Sequence, residues 1–515
     1  MSRTLPAFTV LAALLLGATA HAAPPNVTYV VTRTDDPVPD GCRPRDCSLR
    51  EAVVDAGGFP THDIVQLAAG TYILKSTLVV HNSVSIVGRG AAATRITTTA
   101  ALNPAVQVDE SLPVWFELHD LSINASGGYE LRARADSCVT LDGVNLPNAA
   151  GKVWIEYAYG CGTWITDSVV AGMVTINGSI DAVATASTFG KLTILQTHAG
   201  NPTPYTTTLD QVTVDGTTYP GSGVRIGSIG DVTIDDTTVR NTRYGLRIEE
   251  DTPSLIVNRL QYSGNSEPFE ITADTLALIR DSDFSQNGAI DGANQPGALW
   301  VRGEKAIVQV ERSTFDGNRG TADAGGAALV ENGAALVFNQ STFSANTVSA
   351  ATAAGGARGG AVGYRGSAAQ TILRLIGVTL VAPDLVAAGL GGSAIGGYGQ
   401  IGDVQLRVYN SIIQGTCASG IALDHAEGSI LTGSGSCGFD AATNILHATK
   451  AQLALGTLAD HGGPTRTFLP AGTSIVRDAG TEYGCLGVST DQRGYGRRSG
   501  SACDAGSVEI DSSMP

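Results

Sequence analysis

Four times between residues 260 and 346 the chain writes an aromatic residue, two polar or small ones and an asparagine. The copies are LQYSGN (260–265), SDFSQN (282–287), STFDGN (313–318) and STFSAN (341–346). Aligned on the aromatic, each ends or follows a ten-residue module. AIVQVERSTF (306–315) lies over AALVFNQSTF (334–343), and TLALIRDSDF (275–284), TILRLIGVTL (371–380), VQLRVYNSII (404–413) and GDVTIDDTTV (230–239) share the pattern. Positions three, five and ten are apolar, the alternation of a strand with one buried face. Glycine-led strands fall between the modules: GVRI (223–226), GLRI (245–248), GALWV (297–301), GGAALV (325–330) and GGAVGY (359–364). The unit returns every 22 to 37 residues, too few to bury its own apolar face, so successive units must stack. Strands repeated in one order, without regular hairpin turns, wind into a parallel β-helix, an all-β solenoid.

Stacking gives the motif a purpose. The aromatic fills the interior against its counterpart about 4.8 Å away, and the small residues let the chain turn. Asn265, Asn287, Asn318 and Asn346 are expected at left-handed turn positions, with their amides bonded into a ladder. The same geometry pairs cysteines. Cys138 and Cys161 are 23 residues apart and Cys417 and Cys437 are 20 apart, about one coil each, which suits a disulfide. Cys42 with Cys47 and Cys485 with Cys503 complete a local pairing, one of about 105 that eight cysteines allow.

The ends differ from the middle. MSR, an apolar run and AHA at 20–22 read as a secretory signal peptide, residues 1–22, cut after Ala22. No later segment is long and apolar enough to span a bilayer, so a soluble exported monomer is expected, in keeping with paired cysteines. Residues 23–62 form an N-terminal cap, where CSLREAVVDAG (47–57) is a short helix with Leu49, Ala52, Val53 and Ala56 on one side. Coils occupy 63–440, their order within 100–210 left open, and 441–515 closes the other end. A net charge of −16 argues against nucleic acid and anionic membranes as partners, since both reward basic patches. At 16% charged and 43% hydrophobic, with 64 glycines, the chain is too apolar for disorder and too glycine-rich for a helical protein.

CSLREA (47–52) followed by DIVQLAAGTYIL (63–74) resembles the N-terminal segment of bacterial secreted CSLREA β-helix proteins. The tail DHGGPTRTFLPAG…IVRDAG…C…TDQRGYGRR…CDAGSVE is similar to the choice-of-anchor Q domain. The asparagine-ended repeats with GGA look like those of polymorphic outer-membrane adhesins. The resemblance implies a right-handed, pectate-lyase-like helix that is extracellular, periplasmic or displayed on the cell surface. Such proteins often continue into a barrel or sorting tail, whereas this sequence ends at SVEIDSSMP, so release is expected over covalent display. No activity follows from these families.

Catalytic signatures are sparse. Gly-x-Ser-x-Gly, His-Glu-x-x-His and the phosphate-binding GxxxxGK[ST] are absent. GGYGQI (396–401) lacks the aspartate of a calcium nonapeptide, and DSDFSQNGAID (281–291) lacks the glycine of a calcium loop. Two columns remain. Arg225, Arg247, Glu270 and Trp300 align on the glycine-led strands, where arginines suit carboxylated sugars and tryptophan offers a stacking face. They also suit an ordinary solvated row in which Glu270 relieves its neighbour. Asp210, Asp235 and Asp236 form a second column that would hold a cation, share a proton or splay into water. With Arg247 as base, these aspartates would make a calcium-assisted uronate lyase; as acid and base, a glycosidase. The NTD, DD, GHG and RIK series of galacturonases is not present in order. The preferred reading is a secreted or surface β-helix that binds a glycan or cell surface along its flank, adhesin-like and needing no cofactor. The rival is a lyase or glycosidase centred on 205–251, and a bare passenger module is the third possibility.

Overall fold

The computed structural model describes residues 26–511 apart from 57–61, 109–113, 135–136, 157–160, 197–204, 218, 220, 250–251, 273, 290–294, 322–324, 349–359, 367–369, 384–393, 399–401, 419, 433–436 and 486. The expected signal peptide, residues 1–22, therefore lies outside the described residues. Each turn of chain lays one strand on each of three faces. In one coil these are Asp231–Asp235, Thr238–Arg240 and Leu246–Ile248; in the next, Ser254–Asn258, Gln261–Ser263 and Phe269–Ile271. All pair in parallel with the coil above. Among the described residues the first face carries 16 strands, from Thr28–Val30 to Leu423–Glu427. The second and third faces join as one sheet, because Val169–Asn177 and Thr188–Gln196 run from one face round to the other. The stack continues without reordering through the irregular region, by way of Trp115–His119, Cys138–Asp142, Thr163–Thr166, Asp181–Thr185 and Thr206–Asp210.

The repeat's apolar positions are its core. Val308, Val310 and Phe315 are buried, as are Leu336, Phe338 and Phe343. Phe284, Phe315 and Phe343 stack at 4.5 and 4.8 Å with nearly parallel rings, and Tyr262 continues the column at 5.8 Å. The asparagine ladder is present, but the asparagines do not supply the left-handed residue. That role falls to the residue before each: Gly264, Gln286, Gly317 and Ala345, with φ between +51° and +65°. The turn thus leaves each asparagine buried, where its amide bonds along the stack. The serine of the motif works similarly. Arg259, Asp281, Arg312 and Gln340 take the positive φ, and Ser282, Ser313 and Ser341 behind them accept backbone N–H groups from the preceding coil.

All eight cysteines pair locally: Cys42–Cys47, Cys138–Cys161, Cys417–Cys437 and Cys485–Cys503. Cys138–Cys161 and Cys417–Cys437 have Cα separations of 4.9 and 5.3 Å, the proximity that stacked coils impose. In the N-terminal cap, the helix Leu49–Asp55 buries Leu49, Ala52 and Val53, with Ala56 buried just behind it. Ser48 and Glu51 form a reciprocal capping box, and Arg50 grips Asp36 with two bonds while reaching the carbonyls of Ser76 and Thr77. Every residue of CSLREA therefore has structural work.

The C-terminal segment begins with Ile445–Ala448, which pairs with Ile430–Thr432 of the last coil, and then continues beyond the end of the stack. It lies back along the second face and buries its outward threonines. Gln492 reaches Thr314 and Thr342, and Ser507 reaches Thr342 and Thr379. A second small core of Ile412, Ile430, Leu453, Val476 and Ile510 sits beneath it. Phe439 and Leu446 pack on the main core instead. The tail's charged motif is internal: Arg493 pairs with Asp491 and Arg497 with Glu509, all four buried.

Candidate functional site

The register puts Arg225 opposite Arg247, Arg247 opposite Glu270 and Glu270 opposite Trp300, one column on the third face as the glycine-led strands imply. Arg225 is tied by Nε to Glu249 at 2.5 Å. Glu270 is held between Arg247 Nε and Arg302 Nε, each at 2.6 Å. The arginine side chains keep 51% and 44% of their surface exposed, whereas the Glu270 side chain keeps 7%. Glu270 is thus the internal counter-ion of the row. Trp300 does not offer the expected stacking face. It is 8% exposed, its Nε1 donates to Glu331 Oε1 at 3.1 Å, and the Arg302 guanidinium lies 4.5 Å above its ring.

Asp210 and Asp235 are register neighbours at the end of first-face strands, and Asp236 follows in the turn. Oxygens of all three lie within 4.8 Å of one another, the one group of three or more possible metal-binding side chains among the described residues. That spacing admits a cation bound at about 2.4 Å. The position is nevertheless served by Arg259 from the next coil, a residue that spacing alone did not single out. Its guanidinium forks onto Asp236 at 2.6 and 2.9 Å and also bonds Asp235. The Arg259 bonds hold the Asp236 carboxyl below its usual range and raise the guanidinium. Along this edge the positive-φ residues run Asp236, Arg259, Asp281, Arg312, an alternating ladder in which Arg312 likewise grips Asp281. Calcium at the trio would have to displace a bound guanidinium, so the residues present do not fit it well.

Arg247 and the aspartates stand on different faces, third and first. The four residues of the expected lyase site do not converge, because a coil sends residues a dozen apart to different walls. An acidic pair poised for proton transfer needs one carboxyl held protonated, and the Arg259 contacts act in the opposite sense.

A groove that the repeat did not reveal lies farther along the first face. It encloses about 450 Å³ between Arg407, Tyr409, Asp424, His425, Glu427 and Tyr483. Tyr483 comes from the C-terminal segment, and no spacing in the sequence links it to Arg407, Tyr409 or Glu427. A second cluster stands near the N-terminal end of this face. His62 and Glu117 both bond Ser85, at 2.6 and 2.5 Å, and His119 lies 3.3 Å from Glu117 and from Asp142. Trp115 beside it is 55% exposed.

The family described as "Right handed beta helix region" matches residues 194–371. No curated protein matches the chain. The catalytic domain of a GH87 alpha-1,3-glucanase in complex with nigerose aligns over 70% of this chain and 66% of its own, at 12% identity and TM-score 0.40. The A-module of the mannuronan C-5 epimerase AlgE4 from Azotobacter vinelandii aligns over 74% and 92%, at 14% identity and TM-score 0.37. Pectate lyase Pel9A aligns over 95% and 98%, at 12% identity and TM-score 0.27. The chain spans slightly under two thirds of the glucanase domain. The right-handed parallel β-helix rests on the stacked parallel strands and on the matched region, not on these distant structures.

Proposed function

We propose that this chain is an exported β-helix that binds an acidic glycan along its third face. The observation that carries the reading is the arginine pair. Arg225 and Arg247 sit one coil apart, each steadied from the side by a glutamate and about half exposed. Two steadied guanidiniums at a strand spacing of about 4.8 Å suit carboxylates repeated along a polymer, and fixing them beforehand lowers the entropy lost on binding. Export is supported by the N-terminal segment, by four disulfides and by the CSLREA and choice-of-anchor Q resemblance. Among the described residues no helix is long and apolar enough to cross a membrane.

The test is a binding isotherm with polygalacturonate and alginate against Arg225→Ala, Arg247→Ala and the double variant. Loss in the double variant with unchanged melting supports the row; undiminished binding, or none in the wild type, ends the reading. The convergence of Asp210, Asp235 and Asp236 favours one second reading, a glycosidase in which Arg259 moves aside for substrate. New reducing ends that disappear in Asp235→Asn would establish it.

A further inference from the structure

The last two first-face strands, Val404–Tyr409 and Leu423–Glu427, do not pair in simple register. Leu406 faces Leu423, but Arg407 faces His425, so Asp424 is an extra residue bulged out of the ladder. Bulges re-aim side chains, and this one turns two consecutive residues, Asp424 and His425, outward. Asp424 Oδ2 accepts from Arg407 Nε at 2.6 Å, and His425 Nε2 lies 3.4 Å from Glu427 Oε2.

Over this polar floor stands an aromatic wall. The Tyr483 ring packs on Tyr409 at 4.7 Å, and Tyr409 meets the His425 ring at 5.5 Å. Tyr409 is buried, yet Tyr483 is 58% exposed. The loop that carries it is tied down. Thr481 N–H donates to Asn410 Oδ1 at 2.8 Å, and its carbonyl accepts from Asn410 Nδ2 at 2.9 Å. The Thr481 hydroxyl donates to Glu427 Oε1 at 2.8 Å, and the Cys485–Cys503 bridge lies just beyond. A tethered, exposed ring beside convergent polar groups is a preorganised binding surface, amphipathic in the way a sugar is.

We propose that this groove binds an uncharged saccharide, with Tyr483 against the C–H face of a sugar ring and Asp424, Arg407 and Glu427 on its hydroxyls. The charge balance selects the class. Arg407 is committed to Asp424, and the groove lining sets two carboxylates, Asp424 and Glu427, against that one guanidinium. Among the described residues that line the groove, the carboxylates outnumber the guanidinium, so a uronate carboxylate would be repelled. The groove lies on the first face, away from the arginine row, so either site can fail without the other.

Saturation-transfer NMR and calorimetry on the full chain test this with cellobiose, maltose, nigerose and N,N′-diacetylchitobiose, and with digalacturonate as the acidic comparator. At least one neutral disaccharide should bind saturably. Binding should weaken about tenfold in Tyr483→Ala and in Asp424→Asn, and stay unchanged in Arg247→Ala. Tyr483 is exposed and Asp424→Asn keeps its shape, so both variants are expected to fold. Saturation by none of the neutral sugars at millimolar concentration, binding that survives both substitutions, or preference for digalacturonate would each overturn the assignment.

Discussion

Asn287 donates its Nδ2 to Asn318 Oδ1 at 2.9 Å, one coil on, and neither side chain reaches water. The same amide also serves Tyr262 O, while Asn287 Oδ1 accepts from the backbone N–H and from Nδ2 of Asn265. Replacing Asn287 by alanine therefore orphans buried groups on two coils at once. At about 1–3 kcal/mol for each uncompensated group, a loss of about 3 kcal/mol is expected from urea unfolding. Ser285→Ala, two residues earlier on the outward side of the strand, should cost little. Similar losses for the two would mean that the ladder is incidental to stability.

Gln492 joins the tail to the solenoid. Its Nε2 donates to Thr314 Oγ1 and Thr465 Oγ1, both at 2.9 Å, and its Oε1 accepts from Thr342 Oγ1 at 2.6 Å. It is fully buried. Gln492→Ala should cost about 2–3 kcal/mol through unpaired hydroxyls. The effect should be local: hydrogen exchange should quicken in 455–511 and leave the first-face strands protected. Uniform quickening throughout would show that tail and coils unfold as one unit.

The coil was legible because its period is written in residue types that stacking requires. Val308, Val310 and Phe315 announce an inward face, and Cys138 with Cys161 measures the length of a turn. What was not legible depends on distances the period does not encode. Arg259 meets Asp236 because both occupy the same positive-φ position in consecutive turns, a backbone property that Arg and Asp do not advertise. Trp300 is covered because Arg302 folds back over it, and alternation says only that it points outward. The tail's return along the second face rests on Thr314, Thr342 and Thr379, which as sequence look like ordinary solvent-facing strand residues.

Arg259 as the built-in counter-ion of the aspartate trio has a measurable consequence. In the wild type, added calcium or a chelator should leave the melting temperature unchanged. In Arg259→Gln the carboxylates of Asp210, Asp235 and Asp236 face one another without a cation, and like charges at this range repel. The variant should melt earlier and be restored by millimolar calcium. Calcium stabilisation of the wild type as large as that of the variant would show that the guanidinium does not hold the site.

Glu130 gives the fold a pH dependence of unusual sign for a carboxylate. It is fully buried, and among the described residues neither carboxyl oxygen has a hydrogen-bond partner of ordinary geometry. Gly151 makes its space, since a Cβ there would lie 2.3 Å from Oε2. Burial pushes its pKa up to about 8. The folded chain therefore keeps a proton that the unfolded chain, with an ordinary glutamate pKa of about 4.3, has already released. Since the native state binds more protons, this group's contribution is fully present below about pH 4, declines as pH rises, and levels off once pH passes about 8. Glu130→Gln cannot ionise, so its stability should lack that decline. The difference between pH 5 and pH 8 should shrink by on the order of 3 kcal/mol relative to the wild type. Parallel pH profiles for the two proteins would mean that Glu130 is solvated or paired in solution.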